Sequence, residues 1–194
     1  MVETMIWQSD DQLLQVLDQT LLPQKCVFID CKYYARVKLA IKRLEVRGAP
    51  AIGAAAAFAM VLGALECADK PDFLTALAKV RDDLISARPT AVNLAWAANK
   101  QYALAVKLNE EDKPPYKIIK DLEAAAIKIY NEDIARNKKM GEYGAEFLPQ
   151  DAVVLTHCNA GALATCGWGT ALGVIRSAHA QGKIKMVYAD ETRP

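Results

Sequence analysis

Histidine is nearly missing from this chain, and cysteine is sparse. Only His157 and His179 occur, and the five cysteines (Cys26, Cys31, Cys67, Cys158 and Cys166) include no Cys-x-x-Cys pair. Neither histidine has ligand spacing to a pair of cysteines, so the common zinc-site patterns are excluded. An odd number of cysteines without a secretory leader reads as reduced thiols in a cytoplasmic protein. An excess of charge is lacking too: 24 Lys and Arg face 23 Asp and Glu, a formal net charge of +1. That balance leaves no electrostatic footprint for nucleic acid or an anionic membrane. The first residues, Met1-Val-Glu-Thr-Met-Ile-Trp-Gln-Ser-Asp10, have no basic start and no long apolar run, so no signal peptide is expected. The least polar stretch, residues 49–65, is rich in Ala and Gly. It is shorter than the roughly 20 apolar residues of a membrane span and is expected to be a buried helix.

What remains is ordinary globular material, with 53% hydrophobic and 24% charged residues over 194 positions. That length allows one domain or two small ones with a real core. Short β-type pieces are expected at 4–8, 13–17 and 26–30, with Asp18-Gln-Thr and Pro23 as turn residues. After Asp30 the period becomes helical, since Tyr34, Val37, Ala40, Ile41 and Leu44 recur at i, i+3, i+4 spacing. Gly48-Ala-Pro50 interrupts, and Pro50 suits the first turn of a helix over 51–67. Further helices are expected at 71–86, 88–108 and 116–140, the last ended by Gly141, Gly144 and Pro149. A strand at 152–156, a helix at 161–180 and a strand at 184–189 then form a β-α-β unit with parallel strands. The fold class is therefore α/β: a mostly helical N-terminal domain with a small β-sheet (1–145), followed by the first β-α-β unit of an incomplete parallel, Rossmann-like domain (146–194). Two parallel strands that are apolar on both faces cannot cover themselves.

Cys158 follows a strand and is expected just before a helix N-terminus, where amide N–H groups favour an anion. A thiol there is a candidate acid, base or nucleophile. Alone, such a cysteine is better read as a small buried residue packing an αβ corner. The crowding of Thr156, His157, Asn159 and Gly161 into one loop favours function, because ligands bind at the carboxyl ends of parallel strands. Adjacent strand-end residues point to opposite sides, which makes His157 a supporting residue rather than a direct partner of Cys158. Gly167, Gly169 and Gly173 follow G-x-G-x-x-x-G and start well past the strand, which rejects a dinucleotide fingerprint. They are expected to allow close helix packing. Arg47-Gly48-Ala49-Pro50 and Arg88-Pro89-Thr90 each set a guanidinium at a break before a helix, an arrangement suited to phosphate.

Val46-Arg-Gly-Ala-Pro-Ala-Ile-Gly53, Ala87-Arg-Pro-Thr-Ala-Val-Asn-Leu94, Leu155-Thr-His-Cys-Asn-Ala-Gly-Ala-Leu-Ala-Thr165 and Tyr188-Ala-Asp-Glu-Thr-Arg-Pro194 occur in this order. Together they resemble the methylthioribose-1-phosphate isomerase family, and Leu17-Asp-Gln-Thr-Leu-Leu-Pro23 is similar to its N-terminal hairpin. The resemblance runs from about residue 5 to Pro194. It implies an aldose–ketose isomerase of methionine salvage, converting 5-methylthioribose 1-phosphate to 5-methylthioribulose 1-phosphate without metal or nucleotide cofactor. Motif by motif, it implies that Arg47, Gly48, Ala49 and Arg88 bind the substrate, chiefly its phosphate, and that Cys158 is one catalytic group.

A cytoplasmic homodimer acting on a small sugar phosphate is the implied setting. The family's catalytic aspartate and further binding residues would lie beyond Pro194, on a continuation or a companion C-terminal fragment. Cleavage at Arg193-Pro194 is one expected origin of such a split, and Asp190 is not assigned the missing role. Two alternatives stand beside this reading. One is a related isomerase of 5-deoxyribose 1-phosphate or ribose 1,5-bisphosphate. The other is a non-catalytic chain like the regulatory subunits of the eukaryotic translation-initiation exchange factor.

Overall fold

A computed structural model describes residues 3–191. Thr192, Arg193 and Pro194, where the last motif and the expected cleavage point end, lie outside the described residues. The chain begins with an antiparallel sheet in the order β1 (Met5–Gln8), β2 (Leu13–Leu17), β3 (Phe28–Cys31). Its register sets Met5 opposite Val16 and Leu14 opposite Cys31, and these four residues join the core that the helices form. β3 starts two residues later than the pattern at 26–30 suggests. Asp18 caps the 3₁₀ turn Gln19–Leu21 through Thr20 N (2.9 Å), and its own N–H donates to Val27 O (2.9 Å). The preceding residues are thus spent on the connection.

Helix α1 (Tyr34–Lys42) ends in a Schellman motif. Leu44 takes φ +63°, Glu45 N donates to Ala40 O (2.9 Å), and Leu44 N donates to Ile41 O (3.4 Å). This reversal delivers Arg47 and Gly48 to the start of α2 (Ala49–Cys67), which begins two residues earlier than expected. Helices α1, α3 (Phe73–Ile85), α4 (Val92–Glu110) and α5 (Pro115–Glu146) pack around α2. By length and composition α2 could cross a membrane, with mean hydropathy 1.7, yet 83% of that window is buried here. It is the central helix of the core. Gln101 of α4 sits inside that core and donates Nε2 to Ala57 O (3.3 Å) and Leu122 O (3.0 Å), tying α4 to both α2 and α5.

The expected stop of α5 at Met140 is wrong: the helix runs through Gly141 and Gly144 to Glu146. These glycines are where α6 (Ala171–Ala180) lies against α5. A Cβ on Gly141 would fall 2.6 Å from Ser177 Oγ and 2.8 Å from Trp168 Nε1, and one on Gly144 would fall 2.6 Å from Val174 Cγ2. Close approach, not helix breaking, explains them.

Strands β4 (Ala152–Thr156) and β5 (Ile184–Ala189) are parallel, with Thr156 opposite Ala189, and α6 is their crossover. The architecture is α/β, as the sequence pattern indicates. One helical expectation fails here. Residues 157–170 are irregular apart from a 3₁₀ turn at Ala162–Ala164, and α6 begins only at Ala171. Gly161, Gly167 and Gly169 therefore shape a loop, and only Gly173 packs within a helix. The outer sheet face carries exposed apolar side chains, Val153 (59%), Leu155 (70%) and Tyr188 (59%).

Intrinsic helix propensity favours Ala over Gly by about 1 kcal/mol. At position 141 we expect the opposite sign. Gly141→Ala should lower stability by about 1–3 kcal/mol through overpacking against Ser177 and Trp168, read as a fall in the denaturation midpoint. A rise in the midpoint would remove the packing explanation.

Candidate active site

The loop after β4 owes its shape to partners far away in sequence. Thr4 Oγ1 donates to Thr165 O (2.9 Å), Gln19 Nε2 donates to Leu163 O (2.8 Å), and Cys166 N donates to Asp133 Oδ2 (2.8 Å). Inside the loop, Thr165 Oγ1 accepts from Gly167 N (3.1 Å). Ala160 O accepts from Thr170 N (2.9 Å) and Leu172 N (3.3 Å), closing the loop onto the start of α6. The 3₁₀ turn Ala162–Ala164 is thereby pressed onto the turn that opens α2. Gly48 stands at the contact with φ +94°, and a Cβ there would overlap the backbone of Ala164. Only glycine meets both demands, the left-handed backbone and the missing side chain.

This docking brings the separated motifs together. Arg47, Gly48, Ala49, Arg88 and Cys158 all border one cleft of about 410 Å³, with Leu44, Asn159 and Thr170 on its walls. Two further clefts of about 340 Å³ adjoin it. One holds Thr156, Cys158, Asn159 and Asp190, and the other holds Gln19, Arg47 and Asn159. Arg47 and Arg88 are half-buried, and Cys158 is exposed. Arg88 stands a turn ahead of α4, where Ala91 N donates to Arg88 O (2.9 Å). The cleft thus combines two guanidinium groups with a helix start, an arrangement suited to phosphate.

Cys158 is not at the mouth of a helix, contrary to the sequence expectation, because the chain runs irregularly to Ala171. It adopts φ +69°, a left-handed conformation that costs a side-chain-bearing residue about 1–2 kcal/mol. Strain of this kind concentrates where the surrounding structure must aim a particular side chain. The other thiols differ in their surroundings. Burial pushes Cys31 up to about 11, and burial together with the Asp133 carboxylate holds the Cys166 thiol far above its ordinary range. Among the described cysteines only Cys26 and Cys158 are exposed, and Cys158 alone of these two borders the cleft. His157 pairs away from the thiol: its Nδ1 lies 2.6 Å from Asp190 Oδ2. That contact ties the ends of β4 and β5 together, which suits the supporting role read from the sequence.

Sequence reasoning names Asn159 only as part of a polar loop, yet it borders all three clefts. Leu44 and Gln19 also reach the cleft region without having been singled out. For Leu44 no local signal exists, because its place depends on the turn that ends α1. For Asn159 the signal was its position next to Cys158.

Residues 45–194 match the initiation factor 2 subunit family. The chain is 51% identical to methylthioribose-1-phosphate isomerase of Desulforamulus reducens, over 100% of this chain and 55% of that protein. The solved structure of 5-methylthioribose 1-phosphate isomerase from Pyrococcus horikoshii OT3 is similar, with TM-score 0.86 and 40% identity, over 100% of this chain and 54% of that one. That of the translation initiation factor eIF-2B subunit delta from A. fulgidus is similar as well, with TM-score 0.85 and 45% identity, over 100% of this chain and 56% of that one. The chain spans about half the length of the relatives it matches.

Gly48→Ala tests whether the docked turn makes the cleft. It should cost at least about 1–3 kcal/mol of stability and weaken binding of inorganic phosphate about tenfold or more by calorimetry. Unchanged phosphate affinity in a folded Gly48→Ala protein would separate this contact from the site.

Proposed function

The chain belongs to the initiation factor 2 subunit family, and we propose that it carries the phosphate-binding and thiol side of an aldose–ketose isomerase acting on 5-methylthioribose 1-phosphate in methionine salvage. The observation that supports this most is the single cleft shared by Arg47, Gly48, Ala49, Arg88 and Cys158. Two guanidinium groups and a helix start suit a sugar phosphate, and the exposed thiol of Cys158 lines the same cleft, where it could act on the sugar.

Phosphate on C1 blocks the anomeric oxygen, so the usual free-aldehyde route is closed. The ring opens by protonation of its own oxygen while the phosphate stays on C1. The net change then moves hydrogen from C2 to C1 and turns the C2 hydroxyl into a carbonyl; the proton that this hydroxyl gives to the base balances the one the acid gave to the ring oxygen, with no gain or loss of electrons overall. Whether the hydrogen travels as a proton or as a hydride, an acid/base pair must be held in a site shielded from water. Arg47, Arg88 and the amides at the start of α2 anchor the phosphate, and Cys158 supplies one of the two groups. The anchor fixes the sugar against the thiol, which is where most of the barrier reduction from positioning arises.

The partner acid belongs to polypeptide beyond the described residues, in the reading proposed here. That additional polypeptide, continuous or as a companion fragment, would also cover Val153, Leu155 and Tyr188 on the open sheet face. A division near residue 145, a homodimer and a cytoplasmic location complete the proposal. The regulatory-subunit alternative gives no role to Cys158 or to the paired arginines.

In the complete protein, Cys158→Ala should lower turnover of 5-methylthioribose 1-phosphate by about 10²–10⁴-fold while leaving its binding largely intact. Arg88→Ala should weaken binding about 10–100-fold, the worth of one charge-assisted hydrogen bond. Full turnover by Cys158→Ala would remove the thiol from the mechanism. A complete protein that binds no sugar phosphate would favour the regulatory class.

A further inference from the structure

Asn159 lines the same cleft as the two arginines and the thiol. It is half-buried and borders all three adjoining clefts, the one with Arg47, Arg88 and Cys158, the one with Cys158 and Asp190, and the one with Arg47 and Gln19. Ala160 N donates to Cys158 O (3.1 Å), which closes a three-residue turn with Asn159 at its centre. Cys158 with φ +69° sets the entry to that turn, and the bonds from Ala160 O to Thr170 N and Leu172 N fix its exit. The backbone at Asn159 is therefore held from both sides.

Its carboxamide, by contrast, makes no hydrogen bond among the described residues. An amide has two donors and an acceptor, and at Asn159 these remain open to the clefts it borders. A donor carried on a fixed turn, next in sequence to Cys158 and lining the same cleft, is placed to stabilise charge developing on a substrate oxygen.

We infer that Asn159 is a catalytic residue that contacts the substrate, its Nδ2–H donating to the sugar oxygen at C2 as that oxygen passes from hydroxyl to carbonyl. This rests on the isomerase reading above. It adds a specific electrostatic contact, separate from phosphate anchoring by the arginines and from proton handling by Cys158. Because the amide has no internal partner, replacing it removes no bond that the fold uses.

The test compares Asn159→Asp and Asn159→Ala in the complete protein, with 5-methylthioribose 1-phosphate as substrate and inorganic phosphate as a separate ligand. Asn159→Asp keeps size and shape but loses the donor and adds a negative charge near the oxygen. Both variants should keep the thermal midpoint and should lose about 10²-fold in kcat, with Asp at least as poor as Ala. The Ala variant should bind inorganic phosphate as the unaltered protein does. Asn159→Asp within twofold of the unaltered kcat would overturn the inference, since shape alone would then suffice. Equal kcat in Asn159→Ala would overturn it as well. If the unaltered complete protein isomerises no sugar phosphate, the isomerase reading fails and this inference fails with it. That outcome is recognisable because it precedes any substitution.

Discussion

Between the turn that opens α2 and the 3₁₀ turn Ala162–Ala164 there is no room for a methyl group. Gly48 fills that place with a left-handed backbone, and the loop after β4 lies directly on it. Sequence distance makes the contact costly to form, because a long stretch of chain must be ordered before it can close. The cost is offset by a ring of bonds reaching the loop from three other parts of the chain: Thr4 to Thr165, Gln19 to Leu163, and Cys166 to Asp133. Remove the close contact and the arginines and the thiol belong to separate surfaces.

The contact also depends on α2. This helix is buried from Ala51 along most of its length and packs against four other helices, so the partly exposed residues that open it lead directly into the core. Arg47 and the amides at its start adjoin that core. On the other side, α6 is drawn against α5 by Gly141 and Gly144, which fixes where the crossover loop must begin and end. The close contacts at Gly48 and at Gly141 and Gly144 thus bring Cys158 to the same cleft as the turn that opens α2. The left-handed backbone of Cys158 is affordable in such a frame because its neighbours on both sides are already tied down.

Much of this architecture is legible in local sequence. The apolar runs at β4 and β5, with a helical period between them, announce a parallel β-α-β unit. The Ala- and Gly-rich stretch of α2 announces a buried helix. The breaks at Arg47 and Arg88, each just ahead of a helix, are legible too. What local pattern misses is set by tertiary contact. Gly141 and Gly144 look like helix stops, and only the presence of α6 shows them to be contact points. Residues 161–170 read as the start of a helix, yet the bonds from Thr4, Gln19 and Asp133 hold them in a loop. Leu44, Cys158 and Trp168 take positive φ, a conformation that no local residue choice signals. The convergence of Arg47, Arg88 and Cys158 follows from these contacts, and it becomes visible only once the chain is folded.

The central claim is that one cleft joins the phosphate anchor to the thiol. A crystal structure of the complete protein with 5-methylthioribose 1-phosphate bound tests it most directly. Phosphate oxygens are expected within hydrogen-bond distance of Arg47, Arg88 and the amides at the start of α2, with the sugar carbons against Cys158 Sγ and Asn159. A sugar phosphate bound away from Arg47 and Arg88, or with its C1 and C2 out of reach of Cys158, would contradict it.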